Sequence, residues 1–228
     1  MFEILFLDLD DTILDFHKAE RIAIAKTIRQ FGVEPTEEVL TIYHHINKRH
    51  WEMLEQGILN RAQVKVQRFG ALFRELGLDV DAPACALAYE HNLSIGHYFL
   101  PGAEEAVESL SKKYRLFLAS NGTAKVQAGR MTSANLYRFF EQVFVSEEIG
   151  FNKPSPDYFE ACFAQIPDFD KRKTLMVGDS LTSDMKGANN AGIAACWVNA
   201  AGGPRRPDIH IDYEIKGLCE LEGLLNTL

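Results

Sequence analysis

Glu3-Ile4-Leu5-Phe6-Leu7-Asp8-Leu9-Asp10-Asp11-Thr12 opens as an apolar run of the kind that forms a buried parallel strand, and it ends in three carboxylates and a threonine. A core strand has no structural use for that ending. Burying one unpaired carboxylate costs on the order of several kcal/mol, comparable to the whole stability of a domain, so this cluster points to a cation or a reacting anion. Oxygen ligands make Mg²⁺ the natural cation. Asp8 and Asp10 are two residues apart, so in extended chain their side chains leave on the same side and can converge on one bound group. One carboxylate can attack while the other moves a proton.

The chain of 228 residues is long enough for one large domain or for a core carrying an inserted smaller one. Its 46% hydrophobic and 25% charged residues suit an ordinary globular core. A formal charge of −8 lacks the basic footprint that a nucleic acid polymer requires, although a single nucleotide needs none. Cys85, Cys162, Cys196 and Cys219 are scattered without a Cys-x-x-Cys pair, as expected of reduced structural thiols. No apolar run approaches the ~18 residues of a membrane span, and Met1 leads straight into the first strand. Neither membrane nor signal peptide is expected, and the cytoplasm is the expected compartment.

After Thr12 the periodicity becomes helical. Ala19, Ile22, Ala23, Ile28 and Phe31 precede Gly32 as a C-terminal stop, Thr36 with Glu37 and Glu38 opens a second helix, and Asn60 with Gln63 resembles a capping box. Asp81-Ala82-Pro83 opens another. From about Asp15 to about His97 there is no convincing strand, which predicts an all-helical insert of roughly eighty residues. Strand-like runs then alternate with helices: 114–119, 143–146, 174–177 and 195–198, with a short strand and closing helix after Tyr213. The expectation is an α/β fold: a Rossmann-like parallel sheet of order about 3-2-1-4-5 from residues 1–14 and 98–228, with a helical cap over 15–97.

Parallel α/β sheets bind ligands beyond the carboxyl ends of their strands, where strand order reverses. Asp8, Ser120 and Asp179 all lie at such ends. Asp8-x-Asp10-x-Thr12, Ser120-Asn121-Gly122, Lys153-Pro154 and Gly178-Asp179-Ser180 with Asp184, taken together, resemble the four motifs of the haloacid dehalogenase superfamily of phosphohydrolases. The resemblance covers the whole chain, and the insert sits where that superfamily carries a helical cap of the first type. Asp10-Asp11-Thr12-Ile13-Leu14-Asp15-Phe16 and Val145-Ser146-Glu147-Glu148-Ile149-Gly150 resemble the pyrimidine 5′-nucleotidase branch most closely.

The resemblance implies a role for each residue, and chemistry allows it. Asp8 is the nucleophile that forms an aspartyl-phosphate. Asp10 protonates the leaving alkoxide and then deprotonates the attacking water. Mg²⁺ is held by the carboxylates of Asp8 and Asp179 and the backbone carbonyl of Asp10. Ser120, with the amides of Asn121 and Gly122, cradles the phosphate, and Lys153 neutralises charge on it. Thr12 braces the loop, and Asp184 acts from the outer shell on waters or Lys153.

Other polar residues receive plainer readings. His44, His45 and His50 are solvated or pack the cap, since His45 and His50 lack the i, i+4 spacing of a helical metal pair. Trp51, Phe69 and Phe73 pack the cap, with one aromatic able to stack on a base. Arg205 and Arg206 are solvated.

The implied function is a Mg²⁺-dependent nucleoside 5′-monophosphate phosphatase acting as monomer or homodimer. The alternative is the same chemistry on a sugar phosphate or another small phosphate, with phosphomutase and dehalogenase further off. Asp10 supplies an acid that a halide leaving group does not need. A phospho-accepting receiver would be about half this length, lack the insert, and end its third strand in Asp where this chain has Ser146. A phosphate-binding module has no need of both Asp8 and Asp10.

Overall fold

In the computed structural model, which describes residues 1–228, the apolar runs become the strands of one sheet. β1 (Ile4–Leu7) is buried along its length. Four helices follow: α1 (Phe16–Gln30), α2 (Glu37–Glu55), α3 (Arg61–Glu75) and α4 (Ala82–Ser94). The chain continues through α5 (Ala103–Ser111), β2 (Arg115–Ser120), α6 (Ala124–Ser133), β3 (Gln142–Val145), α7 (Ser146–Ile149), α8 (Pro156–Phe163) and β4 (Thr174–Gly178). It closes with α9 (Lys186–Ala191), β5 (Ala194–Val198), β6 (Tyr213–Ile215) and α10 (Leu221–Leu225).

All six strands are parallel, in the order β3-β2-β1-β4-β5-β6. The expected order holds, and β6 extends one edge by pairing Ile215 with Val198. β1 is central: Leu7 pairs with Leu118 of β2 and with Val177 of β4. The reversal of strand order therefore falls between β1 and β4, the place where this kind of sheet opens a crevice. Phe6, Phe117 and Phe144 stack from three adjacent strands with ring centroids 5.5 to 6.0 Å apart. Phe163 of α8 meets Phe6 edge-on at 5.7 Å. Such contacts add about 0.5–1.5 kcal/mol per pair beyond burial, so the centre of the sheet is a firm base for whatever leaves its strand ends.

Two compact units divide the chain. The α/β unit comprises Met1–Phe16, His97–Ala124 and Ala134–Leu228, and the helical unit comprises His17–Gly96 with Lys125–Ser133. The helical unit thus reaches beyond the 15–97 insert to take in most of α6. Arg130, fully buried, donates from Nε to the Gly96 carbonyl at 3.0 Å. A Cβ on Gly129 would stand 2.6 Å from the Ser94 carbonyl oxygen, so the glycine, which costs about 1 kcal/mol inside a helix, permits this close approach.

The helix starts follow the sequence. Thr36 accepts from the Val39 amide, Asn60 and Gln63 complete a reciprocal capping box, and Asp81 accepts from the Ala84 amide. Tyr43, Phe69 and Tyr89 form the centre of the helical unit, with rings 5.4 to 5.6 Å apart. Phe69 and Phe73 are buried there as packing residues, while Trp51 is half-buried with the Arg61 guanidinium 5.7 Å from its ring centre.

Candidate active site

Asp8 is the first residue past β1, and its amide still donates to the Val177 carbonyl of β4 at 2.9 Å. The backbone is therefore held to the sheet at the point where the side chain turns away. The chain then folds back: Asp11 adopts a left-handed conformation at φ 56°, donates its amide to the Leu14 carbonyl, and accepts the Phe16 amide on Oδ1 at 2.9 Å. A short polar side chain tolerates this conformation better than most. Thr12 is fully buried, but its hydroxyl has no hydrogen-bond partner in the protein. The bracing expected of Thr12 is thus performed by Asp11. Asp10, half-exposed, bridges to Leu14 across the same turn.

Lys153 is the hub. Its Nζ donates to Asp8 Oδ1 at 2.7 Å, to Asp184 Oδ1 at 2.7 Å and to the Ala119 carbonyl at 2.6 Å, and the residue is 1% exposed. An ammonium has three protons, and all three are committed. Lys153 therefore neutralises two carboxylates and sets the direction of Asp8; contact with a phosphate requires it to exchange one of these partners. Its own backbone is gripped by Asn121, whose Oδ1 accepts the Lys153 amide and whose Nδ2 donates to the Lys153 carbonyl, both at 2.8 Å. The following Lys153-Pro154 peptide is cis, and the Pro154 carbonyl accepts from Asn190 Nδ2 at 2.9 Å.

The turn after β2, where the sequence places a phosphate cradle, is hydrogen-bonded within itself. Ser120, 1% exposed, accepts the Gly122 amide on Oγ at 3.0 Å, so that amide is engaged within the turn. The Asn121 side chain serves Lys153.

Beyond β4 the chain forms a π-helical turn, Leu181–Met185, a geometry that recurs at functional sites. It brings Asp184 back so that Oδ2 accepts the Ser180 amide at 3.1 Å while Oδ1 receives Lys153. A Cβ on Gly178 would stand 2.2 Å from Asp184 Oδ2, so only glycine fits beneath this carboxylate. Gly178→Ala is expected to displace Asp184 and lower any activity of this site by about 10²-fold, the scale of an ångström-sized misplacement; an activity assay beside a denaturation curve distinguishes this from unfolding.

Asp179 is half-buried, and its carbonyl accepts from Trp197 Nε1 at 2.7 Å. Trp197 sits on β5 directly opposite Gly178, so strand register delivers its indole to the acid-bearing turn. Nothing in the local sequence marks Trp197 for this duty.

Asp8 and Asp184 thus share the ammonium of Lys153, and Asp10 and Asp179 lie near enough to Asp8 for their charges to act on it or be acted on by it. Burial pushes Asp8 up to about 8, with Asp184 and Asp10 adding to it and Lys153 only partly opposing. Asp179 is raised well above the carboxylate range, first by burial and then by Asp184, Asp8 and Asp11. Burial alone would lower Lys153, but Asp184 and Asp8 outweigh it and leave the ammonium raised. One carboxylate oxygen each from Asp8, Asp179 and Asp184 lie within 4.8 Å of one another. Such an oxygen-only, negatively charged set fits a hard divalent cation. Asp8 and Asp179 are the expected carboxylate ligands, and Asp184, equally near, is occupied by Lys153 and Ser180.

The haloacid dehalogenase-like hydrolase family model matches residues 4–198. The HAD-hydrolase YfnB of Bacillus subtilis (strain 168) is 37% identical over 222 residues, covering 97% of this chain and 94% of YfnB. Its magnesium-bound crystal structure has a TM-score of 0.94 to this chain and covers 99% of both. The pyrimidine 5′-nucleotidase PynA of Streptococcus pneumoniae (strain ATCC BAA-255 / R6) is 37% identical over 199 residues, covering 87% of this chain and 84% of PynA. The pyrimidine 5′-nucleotidase YjjG of Escherichia coli (strain K12) is 28% identical over 221 residues, covering 97% and 96%. With its four sequence motifs drawn to one edge of a parallel sheet and a family match along most of its length, the chain belongs to the haloacid dehalogenase-like hydrolases.

Proposed function

We propose that this hydrolase cleaves phosphomonoesters with Mg²⁺ through an aspartyl-phosphate on Asp8, and that its substrates are pyrimidine nucleoside 5′-monophosphates. The observation that carries the reading is the Asp8 carboxylate, aimed by Lys153 within an acid cluster at the β1/β4 crevice. One Asp8 oxygen attacks phosphorus, the bond to the alkoxide breaks, and Asp10 delivers its proton to the departing oxygen. Asp10 then takes a proton from water as the water oxygen attacks phosphorus, releasing phosphate and restoring Asp8. Asp8 and Asp179, with the Asp10 carbonyl, would hold the Mg²⁺, whose positive charge offsets repulsion between the acid cluster and an anionic substrate. Likeness to PynA and YjjG supports the nucleotide assignment. The chain would act on small molecules as a monomer or homodimer; no helix is long and apolar enough to cross a membrane.

The test is phosphate release with Mg²⁺ across nucleoside monophosphates, sugar phosphates and an aryl phosphate. Preference for UMP, dUMP or dTMP is expected. Turnover of sugar or aryl phosphates alone would retain the chemistry and overturn the substrate; no turnover at all would overturn both. Chelation by EDTA is expected to remove activity and Mg²⁺ to restore it.

Since burial and crowding hold Asp8 at about 8 and Asp179 well above its usual range, Mg²⁺ must displace protons to bind. Its apparent affinity is therefore expected to rise between pH 6 and pH 8, by at most about tenfold per pH unit for each proton displaced. Calorimetric titration at the two pH values checks this, and a pH-independent affinity would contradict the ligand assignment.

A further inference from the structure

Within the helical unit, α1 and α2 bring together a donor set of a different chemical character. His17 and Glu20 are three residues apart in the first turns of α1 and so share a face, and His44 of α2 meets them there. The His17 and His44 ring centres are 5.2 Å apart. One nitrogen from each imidazole and one Glu20 oxygen lie within 4.8 Å of one another.

Glu20 is 3% exposed, and its two oxygens have separate duties. Oε1 accepts from Asn47 Nδ2 at 2.5 Å, and Oε2 lies 2.8 Å from His44 Nδ1. Asn47, also buried, accepts in turn from Arg68 Nη1 at 2.7 Å. The relay from Arg68 through Asn47 fixes the plane of the Glu20 carboxylate and turns Oε2 toward the two histidines. Carboxylates that ligate metals are commonly held this way, hydrogen-bonded from behind by outer residues.

We propose that His17, Glu20 and His44 form a second divalent-metal site, separate from the aspartate cluster and selective for Zn²⁺ and chemically similar transition cations. Two imidazoles and one carboxylate suit such ions, whereas Mg²⁺ prefers an all-oxygen set. In a tetrahedral zinc site, bonds of about 2.0–2.1 Å place neighbouring ligand atoms roughly 3.3 Å apart. The Glu20-His44 pair already has nearly that separation. His17 is exposed at the start of its helix, so a change of rotamer closes the rest of the set, and a water completes the fourth position.

The test titrates the protein with Co²⁺ in excess Mg²⁺, which occupies the aspartate cluster on the proposed reading, and follows visible d–d absorption. Saturable uptake of one Co²⁺ per chain, displaced by Zn²⁺, is expected. His17→Ala changes an exposed residue and is expected to keep the fold while weakening uptake at least about tenfold; Asn47→Leu, which removes the outer support, is expected to weaken it about 10–100-fold. Asp179→Asn should leave uptake unchanged. Absence of saturable uptake, uptake indifferent to His17→Ala, or uptake lost in Asp179→Asn would each overturn the proposal. Should Asn47→Leu not fold, the His17→Ala and Asp179→Asn titrations decide.

Discussion

Asp8→Asn is expected to lower phosphate release by at least roughly 10⁴-fold while leaving the protein folded, the scale of removing a covalent nucleophile. The two side chains have nearly the same shape, and an Asn oxygen can still accept from Lys153, which remains paired with Asp184. What disappears is the anionic oxygen proposed to attack phosphorus. The substitution also removes a charge from a cluster whose crowding holds Asp8 at about 8, so the unfolding midpoint above neutral pH should be unchanged or higher. Loss of activity with a normal midpoint supports Asp8 as nucleophile. Turnover within tenfold of the parent would sink it.

Lys153→Met should act chiefly on stability. It leaves Asp8 and Asp184, 7% and 1% exposed, without their shared cation, and breaking a buried pair from one side costs about 3–5 kcal/mol. For a chain of this size that corresponds to a fall in Tm of about 2–4 °C per kcal/mol. The pH dependence has a definite sign. Asp8 has a folded value near 8, far above that of an unfolded carboxylate, and loss of Lys153 raises it further. Below about 8 Asp8 is protonated in both folded proteins and the deficit is level; above it the parent's Asp8 ionises beside Lys153 while the variant's does not, so the deficit grows as pH rises past about 8. Denaturant midpoints for parent and variant at pH 6 and pH 8.5 measure this. Equal midpoints, or a deficit that does not move with pH, would show that Lys153 is not the counter-charge of the cluster. Added Mg²⁺ should restore part of the loss at the higher pH, because it supplies positive charge to the same carboxylates.

Features encoded within a few residues were legible in the sequence. The apolar run into Asp8, the Thr36 cap, the Asn60-Gln63 box and the Asp81 start all depend on neighbours no more than four positions away. The order of the sheet was also legible, because parallel strands joined by helices admit few arrangements. The residues of the acid cluster could be named for the same reason: each lies at or just beyond a strand end, and strand ends of one parallel sheet share an edge.

The division of labour among those residues was not legible. Lys153 reads as a phosphate ligand, and nothing local shows that its three protons are held by Asp8, Asp184 and Ala119. Asn121 reads as a backbone amide of the cradle, and nothing local shows that both ends of its side-chain amide are held on the Lys153 peptide. Thr12 lends no hydroxyl to the loop it was expected to brace. Trp197 gave no signal, since only the pairing of β4 with β5 sets it opposite Gly178.

The sequence by itself determined which segments become strands and helices, where the acids leave the sheet, and so the family of chemistry open to the chain. Tertiary structure alone decided which acid is neutralised, which turn each side chain supports, and that His44 meets Glu20 from 24 positions away. The reason is range: caps and periodicity act across one turn of chain, whereas the bond between Lys153 and Asp8 spans 145 positions and exists only after sheet register and helix packing have brought its two ends together.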